Sequence, residues 1–447
     1  MKVVLLAAGR SKRLKPIEDK NFLMFLGKPL IQHQLDQLLY VGLTDVVVVG
    51  GEHNLAKLMD LAKGLPKKMK VTIVEQENLD EGMAGAMMAA EKEVKGDSIL
   101  VVSGNDVVEK KAFLDILKLS KESKVDGLML GKKVDEYFPG GYLNVRSNGL
   151  ITAIVEKPGA GNEPSKLVNL VVHYFRDGVK FIEMVKKTKS SRDDRYEVAI
   201  DHMIKDGSKI KVVPYDGFWQ PIKYPWHVIS LMNFFLENIG NDFSKADCKK
   251  RKIEIASTAT VRGDNVYIGD GARIMDNAVI IGPAYIGNNT IVATNAMVRA
   301  SHVGDNCVIG FGTEIARSYL GESVWTHTNY VGDSIIGNNC SFGSGTVTGN
   351  LRLDEKNIPV NIQGEKIDSG MNKFGLITGN NVRCGINTSF MPGIKIGNNT
   401  FVGAGIVVAQ DIEDNKFVYA KTELVIKDNV AQLDEKKREE MKKKMGK

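Results

Sequence analysis

Ile268-Gly269-Asp270-Gly271-Ala272-Arg273-Ile274-Met275-Asp276-Asn277-Ala278-Val279-Ile280-Ile281-Gly282-Pro283-Ala284-Tyr285-Ile286 places an isoleucine at every sixth position, with glycine and Asn/Asp in between. The period runs on through Val292 and Val298, slips once, and resumes at Val303, Ile309 and Ile315. It returns at Ile336 and Phe342, and again at Ile396, Val402 and Val408. A hexapeptide period of this length predicts a parallel β-helix, in which each coil buries its apolar side only by stacking on the next.

The chain before about residue 235 follows a different rule. Short β-branched runs at Val46–Val49, Val71–Val74 and Ile99–Val102 alternate with helical patterns at Pro29–Leu39, Asn54–Ala62 and Ala84–Ala90. That alternation predicts an α/β domain with a mainly parallel sheet. Ligands of such sheets gather at the carboxyl ends of the strands. The first strand ends in Ala7-Ala8-Gly9 and breaks into Arg10, Lys12, Arg13 and Lys15, small residues and cations that suit a polyphosphate. An ordinary βα turn with a solvated basic loop is the alternative. Asp106, at the end of another strand, offers a carboxylate to a hard cation such as magnesium, or else caps a turn. Gly82-Met83-Ala84-Gly85-Ala86 would admit a flat ring or a sugar close to the backbone, or serve tight helix packing.

At 447 residues the chain exceeds what one core organises, so two or three domains are expected. A net charge of +6 gives no reason to expect nucleic acid. Cys248, Cys307, Cys340 and Cys384 lack CxxC spacing, which speaks against a zinc site or a disulfide scaffold. No signal peptide and no membrane-crossing apolar span are read, so a cytoplasmic location is expected.

Seven segments in order then carry a resemblance. Leu5–Pro16, Lys20 ahead of Leu26–Leu30, Glu81–Glu91, Ser103–Asp106, Glu156–Pro158, Val168–Tyr174 and Phe218–Val228 resemble the sugar-1-phosphate nucleotidylyltransferases. The resemblance implies a Rossmann-like α/β sandwich and attack of a sugar-1-phosphate oxygen on the α-phosphate of a nucleoside triphosphate. It implies that Arg13 and Lys20 are catalytic cations, that Ala8, Gly9, Lys12, Gln76 and Gly82 bind the nucleotide, and that Asp106 holds Mg2+. Gly141, Glu156, Asn169 and Lys223 would hold the sugar phosphate. The chain departs from the family at Ser11-Lys12, where glycine and threonine are usual. It departs again at Pro221, where a second metal-binding aspartate is usual, and at Lys223, where glycine is common. Lys223 could stand in for part of the missing cation charge.

The repeat resembles the left-handed hexapeptide acyltransferases, which are usually trimers with sites between subunits. Its break at Val324–Asp333 holds His327-x-Asn329-Tyr330-x-Gly332-Asp333, followed by Gly343–Lys356 and Gly385–Gly397. These resemble archaeal-type bifunctional enzymes that acetylate an amino-sugar-1-phosphate from acetyl-CoA and then nucleotidylylate it. By that resemblance His327 is the general base, a role suited to imidazole. Tyr330 and Lys356 would hold the acceptor, Asn350 would orient the amine or the thioester, and Ser344 would lie along the coenzyme A arm. Ser341 stands where the bacterial enzymes carry asparagine.

The expected organisation is a nucleotidylyltransferase domain over residues 1–235, a linker over 236–252, a left-handed β-helix over 253–426 and a charged C-terminal helix or tail over 427–447. The reading is a bifunctional enzyme using UTP or dTTP, a sugar-1-phosphate and acetyl-CoA, assembled as a homotrimer or a multiple of trimers. Two alternatives remain. In one the β-helix is only a trimerisation scaffold beside an active nucleotidyl domain. In the other the chain is a catalytically weak regulatory protein that binds sugar nucleotides.

Overall fold

The computed structural model describes residues 1–192, 194–240, 245–421 and 423–446. Its first part is built on a nine-stranded sheet. Strand Lys2–Leu6 lies at the centre and pairs in parallel with Asp45–Gly50 and Ile99–Ser103, while Lys70–Glu75 pairs outside Asp45–Gly50. The sheet is parallel in this half, as the alternation predicts. Beyond it Leu167–Phe175 runs antiparallel to Ile99–Ser103, Gly127–Lys133 and Gly141–Val145. In this second half only Ile210–Pro214 pairs in parallel, with Gly127–Lys133, so the sheet as a whole is mixed.

Alternate residues of each strand enter opposite cores. Val3 and Leu5 join the core beneath helices Leu30–Tyr40 and Lys110–Glu122. Val4 and Leu6 join the core beneath Gly82–Ala89, Gly178–Lys187 and Arg195–Lys205. This is the period of two expected of a strand covered on both faces.

The second part is a left-handed parallel β-helix with three columns of short strands. Its inward ladder contains the predicted hexad positions, from Ile268, Ile274 and Ile280 to Ile396, Val402 and Val408, all buried. Ile268 stacks on Ile286, Ile286 on Val303, Val303 on Leu320 and Leu320 on Ile336. The shortening interval between these partners accounts for the slip in period. The corners need backbone that few residues adopt. Asn289, Asn339, Asn381 and Asn399 all have φ between 53° and 60°. Their side chains stack in hydrogen-bonded files, with Asn339 Nδ2 donating to Asn381 at 2.7 Å and Asn381 Nδ2 to Asn399 at 2.8 Å. Asparagine tolerates the left-handed region because its amide can bond locally. At Gly269 a side chain would lie 2.5 Å from the backbone of the next coil, so coil stacking itself demands glycine.

The helical ladder is interrupted once. Between Thr348 and Ile377 the chain leaves to form a hairpin of Pro359–Ile362 and Glu365–Asp368. The hairpin falls in the gap that the hexad period leaves between Phe342 and Ile396.

Two boundaries differ from expectation. Residues 241–244 of the expected linker lie outside the described residues. Lys245–Lys250 is a short helix, and Cys248 packs on the β-helix core while Arg251 donates to Ile268 O at 2.7 Å. This end of the linker therefore closes the first coil. The last β-helix strand is Phe417–Val418, earlier than the expected end at 426, and the exposed helix Glu435–Met445 buries no residue. Among the described residues no helix is long and apolar enough to cross a membrane.

The two parts share a core. Phe25, Ile222, Trp226 and Met232 of the first meet Tyr285, Tyr319, Ile335, Ile358, Val360 and Phe374 of the second. Tyr267, Tyr285, His302 and Tyr319 form an outward column of stacked rings, with centroids 5.0, 4.7 and 5.1 Å apart. Phe25 tilts against Tyr319 at 5.5 Å and stacks on Phe235 at 5.0 Å. Such pairs contribute about 1 kcal/mol each beyond their buried area.

Burial holds three histidines neutral, pushing His173 to about 3 and His227 and His302 to about 4. The unfolded chain, with histidines near 6.5, binds protons that the native chain refuses between about pH 6.5 and 4. Stability is therefore full above about pH 6.5 and falls as pH drops toward 4. Melting temperatures measured across that range should decline steeply, and a flat profile would contradict the assignment.

Candidate active sites

The first site lies at the carboxyl ends of the central strands. Ala8 is buried at the end of strand Lys2–Leu6, and Gly9 faces the Lys20 ammonium, where a side chain would come within 3.4 Å of Lys20 Nζ and 3.7 Å of Asn105 Oδ1. Ser11 takes the left-handed conformation at φ 53° that the usual glycine would adopt freely, and its hydroxyl accepts from Lys20 N at 3.2 Å. Ser11 thus ties the basic loop to Lys20. Lys12 and Arg13 are exposed, with Arg13 5.5 Å above the Tyr224 ring. Arg10 forms an ion pair with Asp80 at 3.1 Å.

Lys20 is 6% exposed, and no described carboxylate lies within ion-pair distance of its ammonium. Burial lowers its pKa to about 8, against the opposing pull of Asp106. Lys223 is lowered to about 8 for the same reason. Its ammonium donates to Pro139 O at 2.9 Å and sits 4.0 Å above the Phe138 ring, so it also ties down the loop before Gly141.

Asp106 opens a two-stranded ribbon, Asp106–Val108 against Trp219–Pro221, in which it lies directly opposite Pro221. Its Oδ1 accepts from Trp219 Nε1 at 3.2 Å. Burial raises its pKa while Lys223 opposes the rise. Among the described residues no three His, Cys, Asp or Glu side chains cluster to hold a metal. One carboxylate with substrate phosphates is a donor set that magnesium accepts. The site fits one cation held in that way, and the residue facing Asp106 across the ribbon, Pro221, adds no carboxylate.

Gln76 is buried, and its amide donates to Asn78 O and Gly82 O, both at 2.9 Å. The side chain therefore shapes the turn before Gly82, whose φ of 55° requires glycine. At Gly85 a side chain would meet Gln76 at 2.6 Å and Glu81 at 2.7 Å. Across the sheet, Gly141 pairs with Glu156 and lies beside Asn169, so these three expected sugar ligands come together. Asn169 Oδ1 is engaged by His173 Nε2 at 2.7 Å, a partner that nothing in the sequence pattern singled out.

The second set of residues divides. Tyr330 lies along its strand over Gly332, with its hydroxyl 3.1 Å from Asn350 Nδ2. Asn350 also donates to Asp333, which is held by Arg317 through two contacts of 2.6 Å. Beside them Arg317, Arg352, Lys356, Lys366 and Lys373 line an open cleft of about 1090 Å³ between the coils and the inserted hairpin. The sequence reading missed Arg317, because its importance comes from a coil partner sixteen residues later.

His327 lies at the other end of the same strand column, exposed, with no described ring partner. Asn329 fixes its backbone by accepting from His327 N while donating to Gly343 O at 2.8 Å and Thr346 O at 3.0 Å. Ser344 occupies the matching corner of the next coil, where Gly345 N donates to Thr328 O at 3.0 Å. Ser341 projects outward in register with Arg383. One chain thus gathers His327 with Ser344, and Tyr330 with Asn350 and the Lys356 cleft, but leaves the two groups a strand apart. Near His327, Trp325 two residues before it, Phe311 of the preceding coil and Ile386 at a following corner are each more than half exposed.

An α/β domain with cations at its strand ends, followed by a hexapeptide β-helix, defines a two-part transferase architecture. Residues 2–222 match the Nucleotidyl transferase family and residues 265–300 the Bacterial transferase hexapeptide (six repeats) family. The chain is 33% identical over 434 residues to the bifunctional protein GlmU of Methanocaldococcus jannaschii, covering 96% of this chain and 99% of that protein. It is 35% identical over 433 residues to the protein of the same name from Methanococcus maripaludis, covering 95% and 99%. It is 31% identical over 425 residues to the bifunctional sugar-1-phosphate nucleotidylyltransferase/acetyltransferase of Sulfurisphaera tokodaii, covering 93% and 99%. The chain belongs to this family of bifunctional nucleotidylyltransferase/acetyltransferases.

Asp333 is 4% exposed and relies on Arg317 for its charge pairing. Removing a charged partner from a buried carboxylate costs about 2 kcal/mol. Arg317→Ala should lower stability by about that much in urea unfolding, and a change below about 0.5 kcal/mol would refute the pairing's weight.

Proposed function

We propose that this protein makes a nucleotide sugar in two steps, N-acetylation of an amino-sugar-1-phosphate from acetyl-CoA and transfer of a nucleotidyl group from UTP or dTTP. The observation that carries the first site is the nearly buried Lys20 ammonium beside Gly9, with no described carboxylate at ion-pair distance and with Arg13, Lys223 and Asp106 acting on its charge.

A sugar-1-phosphate oxygen attacks the α-phosphorus while the bond to the bridging oxygen breaks, and pyrophosphate leaves with the electron pair. Lys20 neutralises charge growing on the α-phosphate, and Arg13 with Lys12 holds the leaving phosphates. Such chemistry is mostly positioning and electrostatics. Ala8, Gly9, Gln76 and Gly82 bound the nucleotide pocket, and Gly141, Glu156 and Asn169 hold the sugar. Asp106 would hold Mg2+ with phosphate oxygens, which supplies further charge neutralisation. Pro221 offers no ligand from the facing strand, and Lys223 provides a fixed positive charge near that place.

In the second reaction the amine attacks the thioester carbonyl, His327 takes the amine proton, and the carbon–sulfur bond breaks to release coenzyme A as its thiol. Tyr330 and Lys356 hold the acceptor, Asn350 orients the amine or the thioester, and Ser344 lies along coenzyme A. The strand-wide gap between His327 and the Lys356 cleft, with the apolar surface around His327, supports assembly of this site from neighbouring copies in a homotrimer.

The test is an activity screen of the full-length protein with UTP, dTTP, CTP and GTP against a panel of sugar-1-phosphates, together with thiol release from acetyl-CoA and glucosamine- or galactosamine-1-phosphate. Lys20→Ala should abolish pyrophosphate release and spare thiol release, and His327→Ala should do the reverse. Loss of both activities in either variant would defeat the separation into two sites.

The free-protein pKa values near 8 of Lys20 and Lys223 set a further expectation. Both ammoniums are charged below about pH 8 and lose charge as pH rises through it. Since kcat/KM reports the free enzyme, its value for the triphosphate should fall above about pH 8. A profile still rising at pH 9 would count against a role for these ammoniums.

A further inference from the structure

The loop that carries Arg13 and Lys20 is held from outside its own domain. Pro16 O accepts from Asn398 Nδ2 of the β-helix at 3.2 Å. Met24 N donates to Tyr319 Oη at 3.2 Å, and Leu26 N donates to His302 Nε2 at 3.2 Å. Leu14, Ile17 and Phe25 of the same stretch are buried in the core shared with Tyr285 and Tyr319.

The His302 contact defines its own chemistry. An amide N–H can only donate, so Nε2 must be the unprotonated nitrogen, and Nδ1–H is left to donate to Leu320 O at 3.3 Å. Leu26 and Gly27 form the two-residue turn of hairpin Met24–Phe25/Lys28–Pro29, with φ of 50° and 75°. A leucine in the left-handed region costs about 1–2 kcal/mol, which the bond to the imidazole helps to offset. This hairpin follows Lys20–Phe22 directly, and Leu23 N donates back to Lys20 O at 3.3 Å. Its far strand closes on the same residue, with Leu30 N donating to Leu23 O at 2.9 Å.

We propose that His302 and Tyr319 of the β-helix are positioning residues of the nucleotidyl site, fixing Lys20 through the backbone of Leu26 and Met24. This rests on the assignment of Lys20 to the triphosphate. The β-helix then does more than carry a second reaction, because its aromatic column is the wall against which the first site's cation-bearing loop is set. A displacement of about 1 Å at a charge-stabilising group can cost about a hundredfold in rate.

The test uses the full-length protein and two opposed replacements. His302→Phe keeps the ring stack and loses the acceptor, whereas His302→Gln keeps an acceptor and loses the ring. His302→Phe should lower kcat for pyrophosphate release about tenfold with little change in KM for the triphosphate, and leave thiol release unchanged. His302→Gln should retain more nucleotidyl activity than His302→Phe. A role confined to packing gives the reverse order, and that order would overturn the proposal. If neither replacement yields folded protein, Tyr319→Phe decides, since it removes only the hydroxyl that Met24 N engages. A fall of about threefold or more in kcat supports the proposal, and an unchanged kcat overturns it. If the unaltered protein releases no pyrophosphate, the reading of Lys20 fails and this inference falls with it. An active parent with indifferent variants defeats this inference alone.

Discussion

Everything in this molecule is arranged about one buried contact, the seam where hairpin Met24–Pro29 and helix His227–Glu237 lie on the outward aromatic column of the β-helix. A seam of this kind is expensive to open. It stacks rings, buries aliphatic side chains and satisfies two backbone amides with the polar tips of otherwise apolar groups. An inter-domain contact that was only polar would leave the two parts free to move. Here the inserted hairpin adds Ile358, Val360 and Ile362 to the same core, so the excursion that forms one wall of the basic cleft also seats the first domain.

The two proposed sites differ in how they would handle phosphate. In the first, few charges stand in a partly dry place. Lys20 and Lys223 lose part of their hydration to burial, so each is a stronger partner for an incoming anion than an exposed lysine would be. Asp106 lies on one strand of the ribbon, and Pro221 opposite it has neither a side-chain ligand for a cation nor a backbone N–H to donate. The second site spreads several exposed cations along an open cleft, where solvent screens each one. Its histidine stands apart on an apolar corner, a combination that makes sense for a surface covered by another copy of the chain.

Much of this could be read before any coordinates. The hexad of isoleucines and valines determined the β-helix, because each coil side turns one large apolar residue inward, with a small buried residue such as Ala272, Ala278 or Cys307 two positions before it. The asparagines and glycines of its corners were equally legible, since left-handed backbone and close coil approach admit few other residues. The alternation of short β-branched runs with helices determined the first domain, and the order of short motifs pointed to Arg13, Lys20, Asp106 and His327. These signals are local. Each depends on neighbours within a turn, a strand or one coil.

Other features were decided only in three dimensions. Arg317 matters through Asp333, His173 through Asn169, and His302 through Leu26, and the last pair is separated by 276 positions of chain. Asn169 and His173 share one strand and Arg317 and Asp333 sit on adjacent coils, but no period or motif links His302 to Leu26, because that contact arises from how finished elements dock. The same holds for Pro221 facing Asp106 and for His327 lying a strand away from Tyr330's hydroxyl. The chemistry of each side chain was written in the sequence. Which groups share a site was set by packing, since only the folded seam and the stacked coils bring distant residues within bonding range.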